Sequence, residues 1–319
     1  MNNNLLILGG SGFVGSVLCE TLVRRAEGGS RRFTVPSRRS ARAKHLSMLP
    51  NVEVVQADVH DDSQLARLVA GHDAVINLIA ILHGSASDFE RTHVELPRRL
   101  AQACLAAGVR RVVHVSALGA GSHAPSNYLR SKAEGEAALQ QPGLDVTIFR
   151  PSVMFGAGDR FLNMFARLQA VLPCVPLAGA RARFQPVWVA DVAEAIVRVL
   201  ERPESAGQTF ECAGPRVFTL AELVRLAGRW SGHERLVFGL PDALARVQAR
   251  IMEWAPGEPL MSRDNLLSMR VPNVAGGRLP GLAQLGIEPA DLETVGPGLL
   301  GDDAEPARLN RWRAAPHGR

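Results

Sequence analysis

Short apolar runs and longer amphipathic stretches alternate through the first half of the chain. LLIL at 5–8, FTV at 33–35, VEVV at 52–55, AVINLI at 74–79, RVVHV at 111–115 and DVTIF at 145–149 are compact, rich in branched residues and bounded by polar or glycine positions, which predicts strands. Between them, VGSVLCETLV (14–23) and SQLARLVA (63–70) space their apolar residues at helical intervals. Strand, helix and strand repeated in this way predict a parallel sheet covered on both faces, because right-handed crossovers leave the helices there. The expected fold class is α/β, doubly wound.

After residue 150 the alternation fails. Helical patterns dominate at 161–172, 191–200, 220–230 and 244–255, separated by Pro and Gly segments. They predict a smaller, mainly helical C-terminal region over 151–300, interleaved with the nucleotide-type core of 1–150 and capping the strand ends, where open α/β sheets bind ligands. The length is also compatible with one large α/β domain. The tail from 301 to 319 is polar and Pro-containing, so it is expected to be mobile, with Trp312 the residue suited to dock.

Composition narrows the function without naming it. A 46% hydrophobic and 21% charged chain is globular in type. The net charge of +5 comes from arginines scattered along the chain with no aromatic interleaving, which disfavours nucleic acid and leaves anionic small molecules or an anionic membrane face. Cys19, Cys104, Cys174 and Cys212 form no CxxC pair, and His72, His83, His93 and His114 show no ligand spacing, so no metal is assigned and a reducing, cytoplasmic setting is expected. The longest apolar run, 74–82, is too short to cross a bilayer; any membrane contact would be peripheral, on the inner face.

The first strand runs into LLILGGSGFVGSVL. Gly10, Gly12 and Gly15 satisfy G-x-G-x-x-G, and Gly9, Gly12 and Gly15 equally satisfy G-x-x-G-x-x-G. Such a loop supplies a tight turn, a backbone that can touch pyrophosphate, and a helix N-terminus facing the anion. Gly9, Gly10, Ser11, Gly12, Phe13, Val14 and Gly15 are therefore the expected dinucleotide cradle. From 28 to 45 the sequence has no acidic residue, and the second strand ends VPSRRSAR, so Arg38 and Arg39 point to the 2′-phosphate of NADP(H) in preference to NAD(H). Asp58 either accepts from the adenine amino group or punctuates the turn before a helix cap near Asp61 and Asp62. Val59, Ala80 and Pro151, at later strand ends, complete the expected cofactor contacts.

NYLRSK at 127–132 holds the single tyrosine and one of two lysines, the other being Lys44. Residues four apart share a helix face, so Tyr128 and Lys132 can converge on one ligand. An adjacent ammonium favours phenolate, and Tyr128 could then exchange a proton with a carbonyl or alcohol while the lysine holds the nicotinamide ribose.

The glycine loop with Y-x-x-x-K resembles the extended short-chain dehydrogenase/reductases of the NAD-dependent epimerase/dehydratase superfamily. RPSVMFGAGDRFLN (150–163), PVWVADVAEAI (186–196) and PLMSRDNLLSMRVPN (259–273) are similar to later segments of its atypical branch, which includes the 39 kDa nucleotide-binding accessory subunit of respiratory complex I. The resemblance covers roughly residues 4 to 275 and implies a Rossmann-type domain, catalytic roles for Tyr128 and Lys132, and proximity to quinone metabolism or a respiratory protein partner. One position departs from it. Typical members place a Ser or Thr where Leu118 stands, and losing such a donor costs about two to three orders of magnitude in rate. Ser116 and Ser131 are the possible substitutes, although serines at such junctions usually cap helices.

Three functions follow as expectations. One is an NADP(H)-binding protein with a structural, redox-sensing or quinone-linked role and weak or no turnover. Another is an active oxidoreductase or nucleotide-sugar epimerase using Tyr128 as acid/base, and the third a cofactor-sensing regulator of a protein partner. Arg160, Arg181 and Arg183 are candidates for a substrate diphosphate, and Asp191 for the cap of the helix at 191–200.

Overall fold

The computed structural model describes residues 4–26, 31–254 and 260–300. The tail from 301 and the docking expected of Trp312 lie outside them. Each apolar run of the first half is a strand: β1 Asn4–Leu8, β2 Arg32–Ser37, β3 Val52–Gln56, β4 Ala74–Asn77, β5 Arg111–Val115 and β6 Asp145–Pro151. β4 stops short of its predicted run because the Asn77 Oδ1 accepts the Ile79 N–H at 3.2 Å and turns the chain out of the sheet. A seventh strand, Thr209–Cys212, pairs with β6. The order is seventh, β6, β5, β4, β1, β2, β3, with every pairing parallel.

The helices of the first half are α1 Phe13–Arg25, α2 Asp62–Val69, α3 Ala86–Phe89, α4 Leu96–Ala107 and α5 Asn127–Leu139. On one face of the sheet Leu6, Leu8, Val75, Val112, Val146 and Ile148 form a single core with Leu65, Val69, Leu96, Leu100 and Leu139 of α2, α4 and α5. Leu5, Ile7 and Val113, alternating with them, are equally buried. Burial on both faces explains why the strands read as unbroken apolar runs. Each fully buried aliphatic side chain contributes about 1.5–3 kcal/mol of transfer free energy.

The chain divides into two compact units. The first comprises Met1–Ser152, Val189–Ala213 and Ala275–Glu288, and it holds the whole seven-stranded sheet. The helix read at 191–200 runs Val189–Leu200 within this unit and packs on α1. Asp191 stands in its first turn, so the structure corrects its expected place as the residue before the helix.

The second unit contains the helices Phe161–Val171, Leu220–Trp230, Asp242–Glu253, Arg263–Ser268 and Leu292–Leu300 with three short two-stranded pairings. Its core joins Leu162 and Phe165 to Leu223, Val224 and Ala227. The buried Gln169 amide donates to the Val224 carbonyl at 2.7 Å, satisfying both groups. Among the described residues no helix is long and apolar enough to cross a membrane.

Candidate dinucleotide and acid–base site

The glycine loop is built for close backbone contact. Gly9 has φ +81°, which marks it as the turn residue leaving β1 and favours the Gly9, Gly12, Gly15 frame. A Cβ on Gly15 would lie 2.4 Å from the Gly10 Cα and 2.5 Å from the Gly9 and Gly10 carbonyl oxygens, so this glycine lets α1 sit against the loop. Gly12 differs: it is exposed, and a Cβ there would meet only the Gly9 carbonyl, at 3.2 Å. Gly12 is also the N-cap of α1, which has no side-chain cap and no acid in its first turn. The N-terminal amides and the positive end of the helix dipole are thereby left for an external anion.

Arg38 and Arg39 follow β2 directly and are both exposed. Asp58 accepts the His60 N–H at 3.0 Å through Oδ1, while its own N–H donates to Gln64 Oε1. Asp61 caps α2 by accepting the Gln64 N–H at 2.9 Å. The Val59 side chain is part of the core beneath α2 and α4, Ala80 is exposed after β4, and Pro151 is buried at the end of β6. Arg160, Arg181 and Arg183 are exposed residues of the second unit.

Tyr128 and Lys132 lie on α5, which Ser126 caps by accepting the Leu129 N–H. The Lys132 side chain is 2% exposed, and its Nζ donates to the Val115 carbonyl at 2.8 Å, at the carboxyl end of β5. Burial pulls its ammonium down to about 8 against the opposing pull of Glu136. Glu136 is itself gripped by Arg150, through Nε at 2.9 Å and Nη2 at 2.5 Å. Tyr128 is half-buried, with its ring edge-on to Phe89 and His93 at centroid distances of 6.0 and 5.6 Å. Burial pushes its phenol up to about 12. Desolvation thus opposes the phenolate that the neighbouring ammonium is expected to favour.

His93, to which the sequence assigned no role, organises this corner. It lies in a π turn, Glu90–Glu95, which joins α3 to α4. Its Nε2 accepts the Ile81 N–H at 3.1 Å, so Nδ1 carries the proton and donates to Ser131 Oγ at 2.9 Å. The Ser131 hydroxyl then donates to the Tyr128 carbonyl at 2.9 Å. Burial, and secondarily Lys132, hold His93 down to about 3, so the imidazole is neutral. The Ser131 hydroxyl is thus engaged both as acceptor and as donor.

Ser116 behaves otherwise. It follows β5 and donates its N–H to the Phe149 carbonyl at 2.7 Å, yet its buried Oγ has no hydrogen-bond partner among the described residues. It caps no helix, contrary to the usual role of such serines. Two residues before it, in β5, His114 Nδ1 accepts from Asn77 Nδ2 at 3.2 Å, which puts the proton on Nε2, buried and without a partner among the described residues. Leu118 is 2% exposed and donates its N–H to the Pro151 carbonyl at 3.0 Å. Orphaned polar atoms are costly and rare in native interiors. Two of them close to where Lys132 reaches β5, with a bare helix N-terminus after β1, fit a nicotinamide dinucleotide. Asn77, His93 and His114 carry no motif; the one available hint was an asparagine interrupting an apolar strand.

A parallel sheet in the order 3-2-1-4-5-6, a glycine turn into α1 and a Tyr-Lys pair on α5 define a dinucleotide-binding short-chain dehydrogenase/reductase type of protein. Residues 5–213 match the model of the NAD dependent epimerase/dehydratase family, and the chain belongs to that family. It is 36% identical over 239 residues to the mitochondrial NADH dehydrogenase [ubiquinone] 1 alpha subcomplex subunit 9 of Rattus norvegicus, covering 74% of this chain and 63% of the rat protein. It is 28% identical over 290 residues to the NADH-ubiquinone oxidoreductase 40 kDa subunit of Neurospora crassa, covering 90% of this chain and 76% of that one. Among solved structures, the dTDP-glucose 4,6-dehydratase DesIV of Streptomyces venezuelae, with NAD and TYD bound, is similar at a TM-score of 0.63 and 25% identity, over 84% of this chain and 96% of DesIV. The cofactor class of the family is NAD(P).

Proposed function

We propose that this chain is an NADP(H)-holding protein with a structural or redox-sensing role beside quinone-linked respiratory chemistry, and with weak or no turnover. One observation carries the reading. Leu118, buried and apolar, stands where the family resemblance would put the hydroxyl partner of the tyrosine, while the Tyr128 phenol is pushed up to about 12. Acid–base exchange at neutral pH then lacks both its second donor and a poised base.

The residues that would hold the dinucleotide are Gly9, Gly12 and the first turn of α1 at the pyrophosphate, and Arg38 and Arg39 at the 2′-phosphate. Lys132 would serve the nicotinamide sugar. When bound, the group supplies hydride transfer. Arg38 and Arg39 are exposed cations, and no carboxylate follows β2, which supports NADP(H) over NAD(H). The relatives of this chain named as subunits of NADH–ubiquinone oxidoreductase support a respiratory partner and a peripheral place at a membrane.

A second reading, an active oxidoreductase or nucleotide-sugar epimerase, is favoured by the unpartnered Ser116 hydroxyl, which could take the place of the missing donor. Fluorescence titration with NADPH and NADH, followed by quinones, nucleotide sugars and carbonyl compounds as oxidants, separates the two. Tight NADPH binding without turnover, with affinity falling about tenfold in Arg38→Ala for NADPH alone, is the expected result. Turnover abolished by Tyr128→Phe and Ser116→Ala establishes the second reading instead.

A further inference from the structure

The helix Asp242–Glu253 of the second unit exposes most of its large apolar side chains. Its buried residues are the small Ala245 and Ala249, and the Gln248 amide anchors it by donating to the Pro176 carbonyl at 2.9 Å. Met252 packs inward beside Ala245, but the other large apolar side chains face away. Leu244, Val247 and Ile251 are 54%, 54% and 62% exposed, and Trp254, which closes the helix, is 77% exposed. The spacing of 3, 4 and 3 residues puts all four on one stripe about 100° wide. Surface helices ordinarily bury such a stripe, and an exposed contiguous one marks a contact surface.

The charges bordering the stripe select its occupant. Arg246 and Arg250 are exposed on one flank, and the Arg250 guanidinium lies 5.9 Å over the Trp254 ring. Of the acids on the helix, Glu253 is engaged by Arg263, which donates from its backbone N–H at 2.8 Å and Nε at 2.9 Å; Asp242 stands at the far, N-terminal end. Among the described residues of the helix, the stripe therefore meets its partner with two arginines that no acid of the helix engages, on a chain of net charge +5. Three turns of helix are too short to span a bilayer. They suit a helix lying in the interfacial plane, with aliphatic residues among the acyl chains, the indole at headgroup level and the arginines on lipid phosphates.

We infer that Leu244, Val247, Ile251 and Trp254, with Arg246 and Arg250, form a docking face for an anionic lipid surface. The inference shares with the proposed function only the peripheral location; it requires neither NADP(H) nor the Tyr128 site.

Flotation of the full chain with vesicles of phosphatidylcholine alone, and of an equimolar mixture with phosphatidylglycerol, tests it, with NADPH titrated into the same samples. The chain is expected to float with the anionic vesicles and not the neutral ones, and to be released in about 0.5 M salt. Arg246→Gln with Arg250→Gln is expected to lower partition about 25-fold, at about fivefold per arginine. Leu244→Glu with Ile251→Glu is expected to abolish it. All four positions are exposed, so both variants keep the fold and the NADPH affinity of the parent; circular dichroism checks the former. Vesicle binding that is absent from the parent, equal on neutral lipid, or unchanged in Leu244→Glu with Ile251→Glu overturns the inference. So does a lipid-free dimer that the same pair of substitutions dissolves while vesicles go unbound. Loss of NADPH binding in the parent leaves the lipid result standing and strikes the dinucleotide reading alone.

Discussion

At the residue scale the decisive group is Lys132, a cation 2% exposed and held on the Val115 carbonyl. Its fall from 10.5 to about 8 corresponds to about 3 kcal/mol of cost to the folded state at neutral pH. Lys132→Met removes that cost and also the bond to Val115, so it is expected to raise unfolding stability by roughly 1–2 kcal/mol at pH 7 while weakening NADPH binding. The sign of the pH dependence follows from the depressed value. Below about 8 the folded chain bears the whole penalty; as pH rises toward 10.5 the unfolded chain retains a proton that the folded chain has released, and stability climbs. Urea unfolding across that window is expected to show the gap between parent and variant closing. A parent less dependent on pH than the variant would contradict this.

Much of this residue-level picture was legible in advance. The scarcity of tyrosine and lysine exposed their pairing, and the glycine spacing exposed the loop. The electrostatics were not legible. Whether an ammonium next in the helix pulls a phenol down, or burial pushes it up, depends on where Nζ is anchored, and the Val115 carbonyl is seventeen residues away in sequence. The chain from Ile81 through His93 and Ser131 to Tyr128 depends on a π turn that no hydrophobic period announces.

At the element scale two junctions hold the site. α5 approaches the π turn so closely that a Cβ on Gly135 would lie 1.9 Å from the His93 carbonyl oxygen. Gly135→Ala is expected to destabilise the fold by about 2 kcal/mol or more, as an overpacked contact between two backbones that cannot part cheaply. Thermal melts measure it, and an unchanged melting temperature would refute it. At the glycine loop the two alanine substitutions are expected to differ in kind. Gly15→Ala drives a methyl into Gly9 and Gly10 and lowers both stability and NADPH affinity, whereas Gly12→Ala leaves the melt nearly unchanged and lowers affinity, because its methyl occupies space that a pyrophosphate would use. Equal behaviour of the two in melts and titrations would remove the cradle argument. These contacts explain why glycine spacing is readable in sequence, whereas Gly135, inside an ordinary helical pattern, is not.

At the scale of the whole molecule, the alternation of strand and helix identified the sheet but not its last member. TFEC is short, carries one polar residue in the middle, and returns to β6 after the chain has passed through the stretch 153–188 of the second unit. No local pattern records such a return. Hydrogen exchange offers a test at this scale: NADPH is expected to slow exchange in peptides covering residues 9–16 and 111–135, and to leave 161–171 and 220–230 at their unliganded rates. Protection confined to the second group would place the ligand elsewhere.

The returning strand bears on how the protein is made. β6 gains its neighbour only when Thr209–Cys212 has been synthesised, and that strand is in turn flanked by a later segment, where the Glu211 N–H donates to the Pro280 carbonyl at 2.9 Å. A ribosome-bound chain that has emerged as far as Ser152 therefore displays an unsatisfied, apolar strand margin, a template for pairing with another nascent copy. Severing the gene product there would yield an adhesive fragment, not a minimal nucleotide binder, and a chaperone would be wanted during the interval before residue 212 appears.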